Sequence, residues 1–205
     1  RNRISVYFKN LFLRKMKMYQ TKMIDCSDPY YSFVKDKAQT HYYKVFEAEP
    51  NPEPNCFICL NDKTTGDLLA CIGVTYAASG KLFSEYYLET HIDSIYPINR
   101  EKVIEISSFC SFYSKLGLGT YIIKNIISMF SARGYEYILL TATDQVKKLI
   151  YSLVEEVEIL AVADPRKVQN HNINWGTYYT NNPHVIMFKL PSISSKDLKD
   201  EAKIA

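Results

Sequence analysis

The segment from Ser114 to Thr120 reads Ser-Lys-Leu-Gly-Leu-Gly-Thr and holds two glycines next to a strongly apolar run. Glycines at the entry to a helix let successive backbone N–H groups converge on an anion, and the helix dipole adds positive potential there. The pattern therefore indicates a cradle for a pyrophosphate-like group. The equally weighted alternative is that the glycines are there only because the turn between strand and helix leaves no room for larger side chains. A dinucleotide fingerprint and a Walker loop are excluded, because the third glycine of the first and the Gly-Lys-Ser/Thr of the second are missing. The candidate binding residues are Ser114, Lys115, Leu116, Gly117, Leu118, Gly119 and Thr120.

Glu105 is a carboxylate inside the predicted strand that leads to this glycine segment. Desolvation on such a strand raises the pKa of a carboxyl group, which suits a general base, and a structural hydrogen-bond acceptor is the equally weighted alternative. Alternation along the strand places Val103, Glu105 and Ser107 on one face. Ser107 is small, so this face leaves room for a ligand or a water molecule beside the carboxylate.

Two further groups are ordinary when they are judged by residue type alone. Glu85 and Glu89 lie one helical turn apart, which usually marks a solvated helix face. Trp175, Tyr178 and Tyr179 form a dense aromatic cluster, which is more often core than ligand site.

The histidines and cysteines form no recognisable metal site. The four histidines share no ligand spacing, and no Ser-His-Asp arrangement stands out from the sequence order. Cys56 and Cys59 form a Cys-x-x-Cys without a second pair, and residues three apart in a strand point to opposite faces. The five cysteines are odd in number and lie mostly in apolar runs, so we predict reduced thiols, a cytoplasmic location and no metal.

Hydrophobic periodicity and turn residues predict the elements that position these groups. The predicted order is a helix over 30–38, a strand over 41–47, hairpin strands over 55–61 and 68–77, a helix over 81–96, a strand over 102–110, a helix over 120–133, a strand over 135–143, a helix over 144–154, and strands over 158–162 and 184–190. This order describes one α/β domain over residues 25–191, in which residues 102–143 form a βαβ unit with parallel strands.

Composition and charge fit one globular domain with a basic start. The chain has 205 residues, 47% hydrophobic and 23% charged, and its net charge of +3 gives no global nucleic-acid footprint. No apolar run reaches the ~18 residues of a membrane-spanning helix. Residues 1–24 carry seven basic side chains and no acid, and their apolar positions predict an amphipathic leader that docks on the domain or lies peripherally on a membrane. Residues 192–205 are predicted to be a flexible polar tail.

A strand with a carboxylate, followed by a glycine loop and a helix, resembles the acyl-CoA-binding core of the Gcn5-related N-acetyltransferase superfamily. The loop pattern of that superfamily is Arg/Gln-x-x-Gly-x-Gly/Ala. Gly117 and Gly119 match this pattern, and Ser114 stands where it has Arg or Gln.

Residues from about 67 to 190 more specifically resemble the thermostable hemolysin family. The matching blocks, in the same order, are Leu82-Phe83-Ser84-Glu85-Tyr86-Tyr87-Leu88, Val103-Ile104-Glu105-Ile106, Thr141-Ala142-Thr143, Ala163-Asp164-Pro165, and Trp175-Gly176-Thr177-Tyr178-Tyr179 followed by Pro183 and Val185. Three positions depart from the family pattern, at Gly73-Val74-Thr75 where the family has Gly-x-Arg, at Ser108-Phe109-Cys110 and at Ser152-Leu153-Val154-Glu155. The lost arginine implies a substrate pocket that has diverged.

The pattern of this family is similar to that of acyl-homoserine-lactone synthases, bacterial enzymes that move an acyl chain from a thioester to an amine. The resemblance implies an α/β, GNAT-like fold with a mixed central sheet flanked by helices, with coenzyme A or acyl-CoA, or the phosphopantetheine of an acyl carrier protein, as donor and a small amine as acceptor. It implies catalytic functions for Glu105 and Glu85. The implied substrate-binding residues are Ser107, Thr141, Thr143, Trp175, Tyr178 and Tyr179. A membrane-active protein and a catalytically inactive, partner-binding member are the alternative functions.

Overall fold

The computed structural model describes residues 18–113 and 117–192, and the described residues contain one seven-stranded sheet with helices on both faces. The strands are β1 (Tyr19–Asp25), β2 (Cys56–Asp62), β3 (Leu68–Tyr76), β4 (Val103–Ser111), β5 (Tyr137–Ala142), β6 (Val157–Val162) and β7 (His184–Lys189). The helices are α1 (Tyr30–Phe46), α2 (Glu85–Leu88), α3 (Ile92–Ile95), α4 (Leu118–Ala132) and α5 (Asp144–Tyr151).

The sheet is mixed, with strand order β1-β2-β3-β4-β5-β7-β6. Strands β4 and β5 are parallel and flank the crossover helix α4, whereas all other neighbours are antiparallel. The predicted βαβ unit, the predicted hairpin of β2 and β3, and the predicted fold class are confirmed.

Strands β4 and β5 separate soon after they meet. Their pairing covers Val103–Glu105 opposite Tyr137–Leu139, after which β4 continues along β3 and β5 continues along β7. Strand β4 also bulges, because Ser108 and Phe109 together face a single residue of β3 and Ser108 has a positive φ of 49°. A bulge bends its strand and increases the local twist. The result is a gap in the middle of the sheet.

The helices cover the two faces unequally. Helix α4 buries Leu118, Ile122, Ile126 and Phe130 in the large cluster on one face of the sheet. Each such side chain stabilises the fold by about 1.5–3 kcal/mol through removal from water. Helix α1 covers the other face beside β2 to β4, and the α2–α3 segment covers that face beside β4, β5 and β7.

The structure differs most from the predicted elements over residues 30–47 and over residues 81–96. Residues 41–47, predicted to be a strand, belong mostly to α1, because Val34, Ala38 and Tyr42 continue a helical face. The helix ends at Phe46, and the next residue, Glu47, has a φ of 56°. The single helix over 81–96 is two short helices, since Glu89 adopts a φ of 67° and breaks the run.

The predicted leader over 1–24 is too long at its C-terminal end. Residues Tyr19–Asp25 form the edge strand β1 and pair with β2 along its whole length. The rest of the leader, residues 1–17, and residues 193–205 of the predicted tail lie outside the described residues.

All five cysteines are free thiols, as predicted. Cys56 joins the core cluster on one face of the sheet and Cys59 the cluster on the other, so the Cys-x-x-Cys does not present its two sulfurs to one ligand.

Candidate active site

A cavity of about 570 Å³ lies where β4 and β5 separate. Glu105 and Ser107 line it from one face of the sheet, and Ile106 and Ser108 line it from the other. The cavity therefore passes between the two strands. Its remaining walls are Tyr42 and Phe46 of α1, residues 50–54, Thr75, Lys81, Phe83, Tyr86, Tyr87, Phe109, Leu140, Thr141, Thr143, Val146, Ile173, Trp175 and Tyr178.

Glu105 lines this cavity and is only 3% exposed. Burial raises the pKa of its carboxyl group, and hydrogen bonding by Ser84 and by the backbone of Phe83 opposes part of this rise. The Phe83 N–H donates to Oε2 at 2.9 Å and the Ser84 N–H donates to Oε1 at 2.7 Å. Each carboxylate oxygen has a further lone pair. The group is thus held in place and remains able to accept a proton.

Ser84 connects the two strands that border the cavity. Its hydroxyl is 2.9 Å from the Thr141 hydroxyl on β5, while its N–H binds Glu105 on β4. Sequence reasoning did not include Ser84 among the site residues, although it lies within the block that carries the family resemblance.

Glu85 lies beside this turn and does not line the cavity. Its Oε1 accepts from Arg100 at 2.5 Å and its Oε2 from Arg100 at 3.0 Å, and the backbone N–H groups of Leu82 and Ile92 donate at 2.8 Å. Burial alone would raise the pKa of Glu85, but the hydrogen bonds from Arg100, Ile92 and Leu82 outweigh it, so the pKa is lowered. This arrangement anchors the turn over residues 82–84 that supplies the two N–H donors to Glu105.

One group of potential metal ligands lies in the same region. Glu85, His91 and Asp93 bring one ligand atom each within 4.8 Å of one another. Arg100 already binds two of these side chains, reaching Asp93 at 3.0 Å as well as Glu85. The guanidinium therefore supplies the positive charge at this cluster.

The glycine segment is only partly described. Ser114, Lys115 and Leu116 lie outside the described residues. Gly117 precedes α4 with a φ of 64°, and Leu118 is buried in the core.

Gly119 has a steric reason to be small, which leaves both sequence interpretations of the loop standing. A Cβ there would lie 3.0 Å from the ring of Phe109, which lines the cavity, and 3.3 Å from Leu149. Thr120 is half-buried in the first turn of α4. The anion cradle stays a prediction.

The predicted substrate-binding residues mostly meet in the cavity. Ser107, Thr141, Thr143, Trp175 and Tyr178 all line it. The Tyr178 hydroxyl donates to the Thr141 carbonyl at 3.3 Å, and burial raises the pKa of Tyr178.

Tyr179 lies behind this wall and is absent from the cavity lining. Its hydroxyl is 2.6 Å from that of Tyr87, which does line the cavity. Its ring packs on Trp175 with a centroid distance of 5.8 Å. Tyr179 therefore supports the aromatic wall from outside.

The sequence analysis missed the wall formed by α1 and the prolines. Tyr42 and Phe46 approach the cavity because α1 extends to Phe46, and Pro50, Pro52 and Pro54 follow in a segment that is neither helix nor strand. Nothing in the spacing of these prolines along the sequence indicates a binding wall.

The neutral Thr75 and the cationic Lys81 both lie on the cavity wall. Thr75 lines the cavity where the family pattern has arginine, and among the described cavity residues Lys81 is the only cation. Its ammonium lies 4.0 Å from the ring centroid of Tyr86.

The mixed sheet, the separated parallel strands and the covering helices define a GNAT-like fold, which solved structures share. These include the acyl-homoserine-lactone synthase LasI, with a TM-score of 0.59 at 10% identity over 84% of this chain and 90% of that chain. The CoA-dependent acyl-homoserine-lactone synthase MesI gives 0.54 at 9% identity over 90% and 94%. Arylalkylamine N-acetyltransferase 2 from Aedes aegypti gives 0.56 at 13% identity over 84% and 100%. At these identities the likeness shows the fold.

The sequence itself identifies the family. The thermostable hemolysin family pattern matches residues 25–193, so the chain belongs to the thermostable hemolysin family. The predicted resemblance over about 67–190 is thereby confirmed. No curated protein matches this sequence. Within the described residues, no helix has the length and apolar character needed to cross a membrane.

Proposed function

We propose that this protein is an acyltransferase that moves an acyl group from a thioester to an amine, with Glu105 as the general base. The observation that carries the proposal is the buried carboxylate of Glu105 inside a cavity at the separation of two parallel strands. A raised pKa brings a carboxylate closer to the pH at which the enzyme operates, where general-base catalysis is most efficient.

The separated strands suit an extended, amide-containing donor. Beyond Glu105, β4 has left β5, so the backbone groups on that side of β4 are available to a ligand. A phosphopantetheine arm carries amide groups and can pair with a strand edge, with its phosphates toward the N-terminus of α4. The arm is common to coenzyme A and acyl carrier protein. MesI is described as CoA-dependent, which favours acyl-CoA as the first donor to test.

The reaction then needs only side chains and backbone of this chain. The amine lone pair attacks the thioester carbonyl, a backbone N–H of β4 binds the developing oxyanion, and Glu105 takes the amine proton directly or through water. The carbon–sulfur bond breaks, the thiolate leaves and takes up a proton, and the amide is released. Glu85 is proposed to act through the 82–84 turn, as a positioning residue.

Ligand stabilisation tests the donor. A molecule that binds only the folded state raises the melting temperature by mass action. We expect the melting temperature of the purified protein to rise with acetyl-CoA or a longer acyl-CoA, and to rise less with adenosine 3′,5′-bisphosphate, which lacks the pantetheine arm. Acyl carrier protein loaded with the same acyl group forms the second arm of the experiment. Absence of a shift with every acyl thioester would overturn the proposal.

A further inference from the structure

Gly176 is pressed against the end of helix α1. It has a φ of 47°, and a Cβ built on it would lie 2.1 Å from the Phe46 carbonyl oxygen and 2.6 Å from the carbonyl carbon of Glu47. The neighbouring Thr177 donates to the same Phe46 oxygen from its N–H at 2.6 Å and from its hydroxyl at 3.1 Å. We call these contacts between residues 174–177 and residues 46–49 the Gly176 clamp.

The two sides of the clamp carry adjoining walls of the cavity. Tyr42 and Phe46 line it from α1, and Trp175 and Tyr178 line it from the loop. The Phe46 and Tyr178 rings meet edge-on with centroids 5.3 Å apart. The distance between these walls is therefore set where the loop is fastened to α1.

Trp175 depends on this fastening for its position. Its indole N–H is buried and has no hydrogen-bond partner among the described residues. Its ring is held by packing on Phe83, Tyr178 and Tyr179, with centroid distances of 5.7, 5.4 and 5.8 Å. Packing without a directional bond fixes a ring less firmly, so the adjacent clamp carries more of the positioning.

We infer that Gly176 is a positioning residue that fixes Trp175 relative to α1 and thereby sets which acyl groups the cavity accepts. The selectivity part of this inference rests on the proposed acyl-transfer function. A side chain at Gly176 must separate the loop from α1 by roughly 1 Å to relieve the overlap, since rigid carbonyl groups cannot rotate away. One methylene in an apolar pocket changes discrimination by on the order of tenfold or more, so a shift of this size alters chain-length preference.

The test compares Gly176→Ala with Gly66→Ala. Gly66 has a φ of 79° but nothing within 4 Å of its virtual Cβ, so the control carries similar backbone strain without the clash. Trp175 is the only tryptophan of the chain and reports directly on the wall. In Gly176→Ala without ligand, we expect red-shifted Trp175 emission and stronger quenching by acrylamide. With a series of acyl-CoAs of different chain length, we expect the ratio of affinities for longer and shorter acyl groups to change on the order of tenfold. Gly66→Ala should match the wild type in both.

The outcomes separate this inference from the proposed function. Failure of the wild type to bind any acyl-CoA would overturn the proposed function and the selectivity with it, while the unliganded fluorescence still reports on the wall. Unchanged Trp175 emission and quenching in folded Gly176→Ala would overturn the positioning role. If Gly176→Ala does not fold, Thr177→Val replaces it, because it removes only the hydroxyl bond to Phe46. A smaller change in the same direction, restored in Thr177→Ser, supports the clamp, and no change in Thr177→Val overturns it.

Discussion

Glu105 and Glu85 are both buried, yet their surroundings set their acidities in opposite directions. Glu105 faces a cavity and receives two backbone N–H groups without a cation, and burial raises its pKa. Glu85 receives Arg100 on both oxygens, and these hydrogen bonds lower its pKa despite burial. Desolvation without a cationic partner raises the pKa of a carboxyl group and suits a general base, whereas pairing with a guanidinium keeps the carboxylate ionised and suits an anchor. The carboxylate on β4 is thus suited to proton transfer, and the one at the start of α2 is suited to anchoring the turn beside it.

The largest expected effect comes from breaking the anchored side. Arg100→Ala leaves the carboxylate of Glu85 buried without its cation, which costs about 3 kcal/mol of unfolding free energy, the lower end for buried pairs because Arg100 is 19% exposed. Urea unfolding measures this loss. Arg166→Ala removes an arginine whose side chain is 80% exposed and should leave stability unchanged.

The loss should also depend on pH. Because the folded-state pKa of Glu85 is lowered, its stabilising contribution is complete above about 4.5, the ordinary value, and disappears as the pH falls through the folded-state pKa. The difference between wild type and Arg100→Ala should therefore shrink with acid. A difference that stays constant from neutral pH to pH 3 would show that Glu85 does not depend on this pairing.

The next effect concerns the cavity side. Gly119→Asp places a carboxylate at the N-terminus of α4, where a phosphate should approach, and we expect acyl-CoA affinity to fall on the order of tenfold or more. Gly119→Ala is the matched control, because it presents the same Cβ to Phe109 without charge. Equal dissociation constants for the two variants, measured by calorimetry, would show that Gly119 is needed only for steric reasons and that the donor is held elsewhere.

The smallest effect lies at the turn between the two glutamates. Ser84→Ala keeps the backbone N–H to Glu105 but removes the hydroxyl that lowers the pKa of Glu105 and contacts Thr141. We expect a cost of about 0.5–1.5 kcal/mol and a shift of the ascending limb of kcat/KM to higher pH, since Glu105 must lose its proton to act. Ser79→Ala, an exposed serine outside this network, should leave the limb in place. A limb unmoved in Ser84→Ala would separate Ser84 from the function of Glu105.

The sequence predicted those parts of the fold in which hydrophobic residues recur with the regular period of a strand or a helix. The alternation in β5 and in the first half of β4, together with the helical period of α4, predicted the parallel pair and the face of β4 on which Glu105 lies. The second half of α1 was not predicted as helix, because its aromatic and β-branched residues favour a strand locally. Packing of Val34 and Ala38 on the sheet stabilises the helix instead. The strand β1 was not predicted, because it is stabilised by pairing with β2, a contact between segments that are far apart in the sequence.

The sequence likewise predicted some residues of the candidate site and missed others. Ser107, Thr141, Thr143, Trp175 and Tyr178 surround the predicted base, and family resemblance indicated all of them. The partner of Glu85 is Arg100, fifteen residues further along the chain, and no periodic pattern connects the two. The walls of α1 and the clamp at Gly176 depend on how distant segments dock, which spacing along the chain does not show.

The most direct measurement compares Glu105→Gln with Glu85→Gln for acyl transfer, acyl-CoA binding and melting temperature on one preparation of each. The account predicts that Glu105→Gln loses roughly 100-fold or more in turnover while it keeps acyl-CoA binding, because glutamine retains the size but not the basicity. Glu85→Gln should instead melt at a lower temperature and keep turnover per folded molecule within about tenfold of wild type. Full turnover by a folded Glu105→Gln protein would contradict the assignment of Glu105 as the base.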